Sequence, residues 1–361
     1  MPSSAAIPRA AVIPARRKAI LAAACLLLCV ALPYGGEEQS VAGRKNKRSP
    51  RASVKYGQHK KPASFDAVDN APPPPPVGEK RFNAPDVAIL VLTRRDGDGM
   101  AKRAAIRATW SEGYDNVWFM IGQACKLPPK YRVEYTCDLL PGANGVDPTD
   151  QAQWDAVLAD EDAALATEAE SHSDVVTLPM TDVYRQLPRK VKELYRWGLE
   201  NTNARWFLKV DDDQYVRVGL TTELFRDGWG GGKGKTLVAA GFKRNANVHR
   251  EGKWGDKKYQ HAKWPPYPDG GAHAVTRDLA QYFVDNIETL VEYQGEDASL
   301  GVWIDEAAFT VQMAKSVRFV AQDGNRCFDP SKYVVGHNIN ALKMHKCFEK
   351  TRAFTVPGGV G

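Results

Sequence analysis

The sequence predicts an α/β domain built on a mostly parallel central sheet, and three observations predict it. Short, continuously apolar runs rich in branched residues recur between residues 86 and 210, the mark of strands buried on both faces. Helical patterns fall between those runs, giving the alternation of a parallel sheet. One such run ends directly on Asp211, Asp212 and Asp213, and ligands of such sheets bind beyond the carboxyl ends of the strands.

In chain order, Val87–Leu92 is the first predicted strand, bounded by Pro85 and by Arg94, Arg95, Asp96 and Gly97. Met100–Trp110 reads as a helix, Val117–Ile121 as a strand and Gln153–Glu170, rich in alanine and acidic residues, as a second helix. Asp174–Leu178 is a third strand. Leu187–Asn201 is a helix with Val191, Leu194, Tyr195 and Leu199 along one face. Trp206–Val210 is the fourth strand, and Gln214–Val218 resumes apolar alternation behind the aspartates. Trp264–Gly271 combines aromatics, prolines and paired glycines in a kinked segment that suits a sugar ring or a structural turn. Glu296 and Asp297 open a last helix, where acidic residues also serve the helix dipole.

The 361 residues carry a net charge of +6, but residues 1–85 hold +9 and the remainder −3. A nucleic-acid partner needs its basic surface on the fold itself, so none is expected. Arg16, Arg17 and Lys18 precede an apolar run from Ala19 to Tyr34, somewhat shorter than the roughly 20 residues of a typical span. It suits a thin membrane or the core of a signal peptide. Pro33 makes Ala31-Leu32-Pro33 a poor cleavage site, so an uncleaved type II anchor is the reading taken. Residues 1–18 are then a cytoplasmic tail, 19–34 a transmembrane signal-anchor, 35–85 a disordered basic and proline-rich stem, and 86–361 a lumenal domain. The run Pro72–Pro76 makes part of that stem a stiff spacer. Four cysteines follow the anchor: Cys125, Cys137, Cys327 and Cys347. Three pairings are possible, and the local pairs Cys125–Cys137 and Cys327–Cys347 are favoured in an oxidising lumen.

Three aspartates held together at a strand end repel one another unless a cation is present. Their oxygens favour Mg²⁺ or Mn²⁺, shared with a diphosphate. Arg103 and Arg107 lie on one helix face and would supply donors to such a group, or form a basic solvent face. Lys190 begins the helix that feeds the Asp211 strand. The glycine-rich segment Gly230–Thr236 fails the phosphate-loop pattern, because Trp229 stands where its first glycine belongs.

Five segments in order resemble the β-1,3-galactosyltransferase and Fringe superfamily, glycosyltransferase family 31. They are Arg103–Trp110, Asp182–Lys190, Phe207–Asp213, Tyr267–Thr276 and Glu296–Gly301. The tail from Cys327 to His337 is most similar to the type that adds galactose in the proteoglycan linker. Asp269, Ala272 and His273 depart from the pattern, in a loop for acceptor or donor. The resemblance implies a GT-A-like fold, a Golgi membrane location and an inverting transferase. It would move galactose from UDP-galactose to the 3-hydroxyl of an acceptor sugar on a glycoprotein or proteoglycan. Mn²⁺ would be held by Asp213 and His337 with Asp211. Thr93, Arg103, Arg107, Asp182, Lys190, Asp212, Gly270 and Gly271 would hold the nucleotide sugar. Trp264, Tyr267 and Glu296 would meet the acceptor, and Asp297 would be the general base. UDP-N-acetylglucosamine as donor, or a catalytically silent glycan-binding module, are the alternatives.

Overall fold

A computed structural model describes residues 86–225, 237–315 and 335–352. The expected tail, anchor and stem, the glycine segment 230–236 and Cys327 lie outside the described residues. No helix among those described is long and apolar enough to cross a membrane.

Strand β1 (Val87–Leu92) is buried at all six positions, as its unbroken apolar run predicts. It pairs in parallel with β2 (Val117–Gln123) on one side and β4 (Trp206–Asp211) on the other. Beyond β2 runs β3 (Val175–Thr181), also parallel. Past β4 lie β7 (Tyr267–Thr276), β6 (Leu237–Lys243) and β8 (Gln312–Lys315), completing a seven-stranded sheet of order β3-β2-β1-β4-β7-β6-β8. Strand β7 is antiparallel to both neighbours, while β8 is parallel to β6. The expected α/β class with a mostly parallel sheet is what is observed.

Alternation sorts the side chains of β1 and β4 to two faces. Val87, Ile89, Val91, Trp206, Leu208 and Val210 share one core with Ile106 of α1 (Gly97–Arg107) and Met344 of α7 (Ala341–Arg352). Ala88, Leu90 and Phe207 share the other core with three helices. These are α3 (Leu187–Asn201), α5 (Arg277–Asp285) and α6 (Glu296–Asp305). Burying the branched and aromatic side chains on both faces gains about 1.5–3 kcal/mol for each large one. The sheet's carboxyl-terminal edge is thereby fixed in place.

Helix boundaries depart from the periodicity where caps intervene. Helix α1 starts three residues before Met100, because the Asp96 carboxylate accepts from Gly99 N at 2.9 Å. Gly99 is needed there: a Cβ would lie 2.1 Å from the Arg94 carbonyl oxygen. At its other end the Thr109 and Ser111 hydroxyls donate to the Ala105 and Ile106 carbonyls, which competes with another helical turn. Helix α2 (Pro148–Ser171) starts five residues before Gln153, on an Asp147 cap with proline at the first position.

The segment Tyr267–Thr276 is a strand rather than a loop. Its pairing with β4 runs from Trp206↔Thr276 to Val210↔Ala272 and stops there. Gly270 and Gly271 lie past that ladder, opposite the irregularity between Ala240 and Phe242 in the β6 pairing, where a missing side chain costs the sheet little. His273, expected in a substrate loop, is fully buried inside the sheet and bonds the Tyr195 hydroxyl at 2.9 Å. A short pair, β5 (Tyr215–Val216), which leads into helix α4 (Val218–Glu223), with β9 (Val335–Gly336), brings His337 to the end of β4. Cys125 and Cys137 form a disulfide. Cys347 is also disulfide-bonded, its expected partner Cys327 lying outside the described residues.

Candidate functional site

Beyond the ends of β1 and β4 opens a cleft of about 510 Å³, lined among others by Thr93, Arg94, Asp182, Lys190 and the three aspartates. Its floor is a charge network. Lys190 is buried, and its ammonium donates to Thr93 O at 2.7 Å and Asp182 Oδ2 at 2.6 Å. Asp182 Oδ2 also accepts from Gly122 N at 2.9 Å. Burial lowers the Lys190 pKa, with Asp182 the main opposing influence. One lysine thus ties the ends of β1, β2 and β3 together. Asp212 accepts from the Thr93 hydroxyl at 2.9 Å and from Lys102 Nζ at 3.0 Å; burial raises its pKa against both.

Asp211 is occupied differently. The fully buried Lys209 ammonium donates to Asp211 Oδ1 at 2.7 Å, to Glu296 Oε1 at 3.0 Å and to the Gly270 carbonyl. Burial raises the Asp211 pKa, Lys209 opposes it, and Glu296 adds to it. Asp213 is the aspartate of the three with no ionic partner among the described residues. Its Oδ1 accepts from Gln214 Nε2 at 2.9 Å and its carbonyl from Ile339 N at 2.8 Å.

Gly270 and Gly271 sit between the two carboxylate groups of the site. A Cβ on Gly271 would lie 3.0 Å from Gln214 Nε2 and 3.4 Å from His337 Cδ2; one on Gly270 would lie 3.2 Å from Asp297 Oδ2. The overhang of β7 therefore separates Asp213 and His337 from Asp297 by two residues without side chains. Asp297, in the first turn of α6, accepts from Ala298 N at 2.8 Å and lies 4.0 Å from Lys243 Nζ. Gly295, at φ 89°, makes room for that carboxylate. Burial, then the neighbouring Glu296 charge, pushes the Asp297 pKa up to about 7, with Lys243 opposing.

Among the described residues no three His, Cys, Asp or Glu side chains converge closely enough to hold a metal between them. The donor set at Asp213 is nonetheless chemically suited to a hard cation. An unpaired carboxylate adjoins the His337 region, and the Gln214 Oε1 beside it is buried without a donor. A divalent ion bound through one or two carboxylates and completed by phosphate oxygens needs no more from the protein.

Several predicted residues are placed elsewhere. Arg103 is fully buried, bidentate to Glu168 at 2.9 and 2.6 Å, and Arg107 bonds Glu168 and Asp174. Neither lines the cleft; they staple α1 to α2 and to the start of β3. The cleft's cations include Arg94, which follows Thr93 at the ligand-binding end of the first strand, and Arg95 and Arg132, which the motif spacing did not reveal. Arg95 is committed to Glu161 and Asp162. Arg132 donates to the carbonyls of Leu127 and Cys125 and stacks over Trp154 at 5.0 Å. It makes no carboxylate pair among the described residues, and burial lowers its pKa. Its position inside the Cys125–Cys137 loop was the available signal. Trp264 is buried, stacked on Tyr259 at 4.4 Å, and so presents no open ring face. Tyr267 is buried with the Lys243 ammonium 5.8 Å from its ring. Glu296 is spent on Lys209.

The family model for Galactosyltransferase matches residues 158–315, from α2 through β8. A 185-residue stretch is 33% identical to a UDP-GalNAc:beta-1,3-N-acetylgalactosaminyltransferase 2 of Danio rerio, over 48% of this chain and 34% of that protein. Another is 29% identical to the Beta-1,3-galactosyltransferase 6 of Mus musculus, over 50% of this chain and 54% of the relative. Residues 158–315 are thus similar to the β-1,3-galactosyltransferase superfamily, over less than half of the chain. Of the five segments that resembled the family, all but Arg103–Trp110 lie within the matched residues. The chain spans about a third of the length of the first of these relatives.

Proposed function

We propose that this chain is a metal-dependent, inverting β-1,3-hexosyltransferase of GT-A-like build, acting from UDP-galactose on the 3-hydroxyl of an acceptor sugar. One observation carries the reading: a half-buried carboxyl with a raised pKa, Asp297, sits across a two-glycine gap from a carboxylate without an ionic partner among the described residues and a histidine. Such an arrangement suits a general base facing an electrophile held by a cation.

Lys190, Asp182 and Thr93 form a floor on which a nucleoside diphosphate would rest, and Arg132 offers it a cation without a carboxylate partner. Asp213 and His337 would hold Mn²⁺, with Asp211 held back by Lys209. When bound, the ion would offset charge on the departing diphosphate. Asp297 removes the proton of the acceptor 3-hydroxyl as that oxygen bonds to the anomeric carbon. The bond to UDP breaks on the opposite face, which turns an α-linked donor into a β-linked product. Gly270 and Gly271 leave space for the sugar between base and cation.

A second donor is favoured by the relative named for UDP-GalNAc, which shares the galacto configuration. The glycan acceptor, the type II anchor and the Golgi location belong to the same reading. Purified full chain should transfer from one of UDP-galactose, UDP-N-acetylgalactosamine or UDP-N-acetylglucosamine in Mn²⁺, and stop in EDTA. Transfer that persists after chelation removes the metal from the reading; preference for an N-acetyl donor replaces galactose.

A further inference from the structure

Trp254 is the most exposed of the large aromatic side chains described, at 63%. Leaving an indole open to water forgoes the burial that usually stabilises it, so an exposed one on an ordered segment calls for a cause. The segment is held from several sides. Arg185 donates to the carbonyls of Gly252 and Gly255, at 3.3 and 2.6 Å, and to Gln294 Oε1 at 2.6 Å. Asp256 accepts from Lys258 N and Tyr259 N through one oxygen and from Gln294 N through the other. Beneath it Tyr259 is stacked on Trp264 and set edge-on to Tyr293. The indole is thus presented on a braced support.

Its supports reach the segment that carries the base. Gln294, gripped by both Arg185 and Asp256, lies three residues before Asp297. Tyr184, on the cleft wall, has its hydroxyl within reach of the Trp254 side chain. Burial raises the Tyr184 phenol, and the carboxylates of Glu296, Asp297 and Asp211 add to the rise, so that hydroxyl shares their neighbourhood. The Lys253 ammonium lies 4.5 Å from the Tyr184 ring centre and 5.9 Å from that of Trp254, fixing the two rings about one cation.

We propose that Trp254, with Tyr184, forms the platform on which the apolar face of the acceptor's pyranose ring stacks, beside Asp297. A pyranose has one face of C–H bonds and a rim of hydroxyls, which an indole face and a phenol hydroxyl match. This rests on the transferase reading, and it assigns to Trp254 the acceptor-facing place that the family resemblance implies for Trp264. The test is calorimetric titration of the full chain, in Mn²⁺ and UDP, with p-nitrophenyl β-galactoside and p-nitrophenyl β-N-acetylglucosaminide. Transfer to the same glycosides is measured in parallel. Trp254→Ala should weaken glycoside binding and raise the acceptor KM roughly tenfold. UDP affinity and melting temperature should not move, and Trp254→Phe should recover most of the loss. Unchanged glycoside affinity in Trp254→Ala, or no binding of either glycoside to the unaltered chain, overturns the platform. Glycoside binding that depends on Trp254, without transfer from any UDP-sugar, keeps the platform and overturns the transferase reading.

Discussion

The two sides of the site are built in opposite ways. On the β1–β4 side nearly every charge is already answered: Lys190 by Asp182, Lys102 by Asp212, Lys209 by Asp211 and Glu296. On the α6 side, the cation that approaches Asp297 among the described residues is Lys243, only at 4.0 Å, and an indole faces water nearby. Paired charges in a buried floor hold a shape, because removing one partner strands the other. A carboxyl short of partners retains a high proton affinity and is available for chemistry. The contrast separates residues that set geometry from those that act on substrate.

The largest expected effect breaks the acting side alone. Asp297→Asn should reduce transfer about 10²–10⁴-fold, the usual share of a general base, while UDP binding by calorimetry stays within a factor of two. Next comes the holding side. Arg103→Leu leaves Glu168 buried beside Arg107 alone and should cost about 3–5 kcal/mol in denaturant unfolding, with an unaltered donor KM in the folded enzyme. Equal losses in stability and KM would put Arg103 back at the nucleotide. Arg132→Ala should weaken UDP binding roughly tenfold, read by calorimetry.

The smallest effects are in pH. Transfer requires ionised Asp297, so its rate should rise as pH climbs through about 7. Lys243 favours the ionised form, and Lys243→Met should therefore move that limb to higher pH. The same carboxyl binds its proton more tightly folded than unfolded. Its contribution to stability thus falls as pH rises from its ordinary 3.8 to about 7. Melting curves of the unaltered chain and Asp297→Asn should diverge across that window, the unaltered chain losing more.

Strands β1 and β4 and helix α3 were legible because burial on both faces, or along one helical stripe, writes itself into local pattern. The starts of α1 and α2 were not legible, because the Asp96 and Asp147 caps extend these helices beyond their apolar periodicity. Motif order placed Asp213, Asp297, Lys190 and the two glycines in one neighbourhood, and the structure brings them to one edge of the sheet. Spacing alone could not tell a cleft-lining arginine from a buried staple. Arg103 meets Glu168 from 65 residues away, a contact that no local window contains.

What the sequence by itself determined is the alternation of strands and helices, the acidic strand end and the resemblance to a family, all properties of neighbours along the chain. Tertiary structure decided which charges are spent and which remain free. Lys209 claims Asp211 and Glu296, Trp264 goes under a stack while Trp254 stays open, and β7 reverses direction to carry its glycines past β4. Each of those outcomes depends on groups from distant segments meeting in a medium of low dielectric, where partner and exposure set the energy of a charge or a ring.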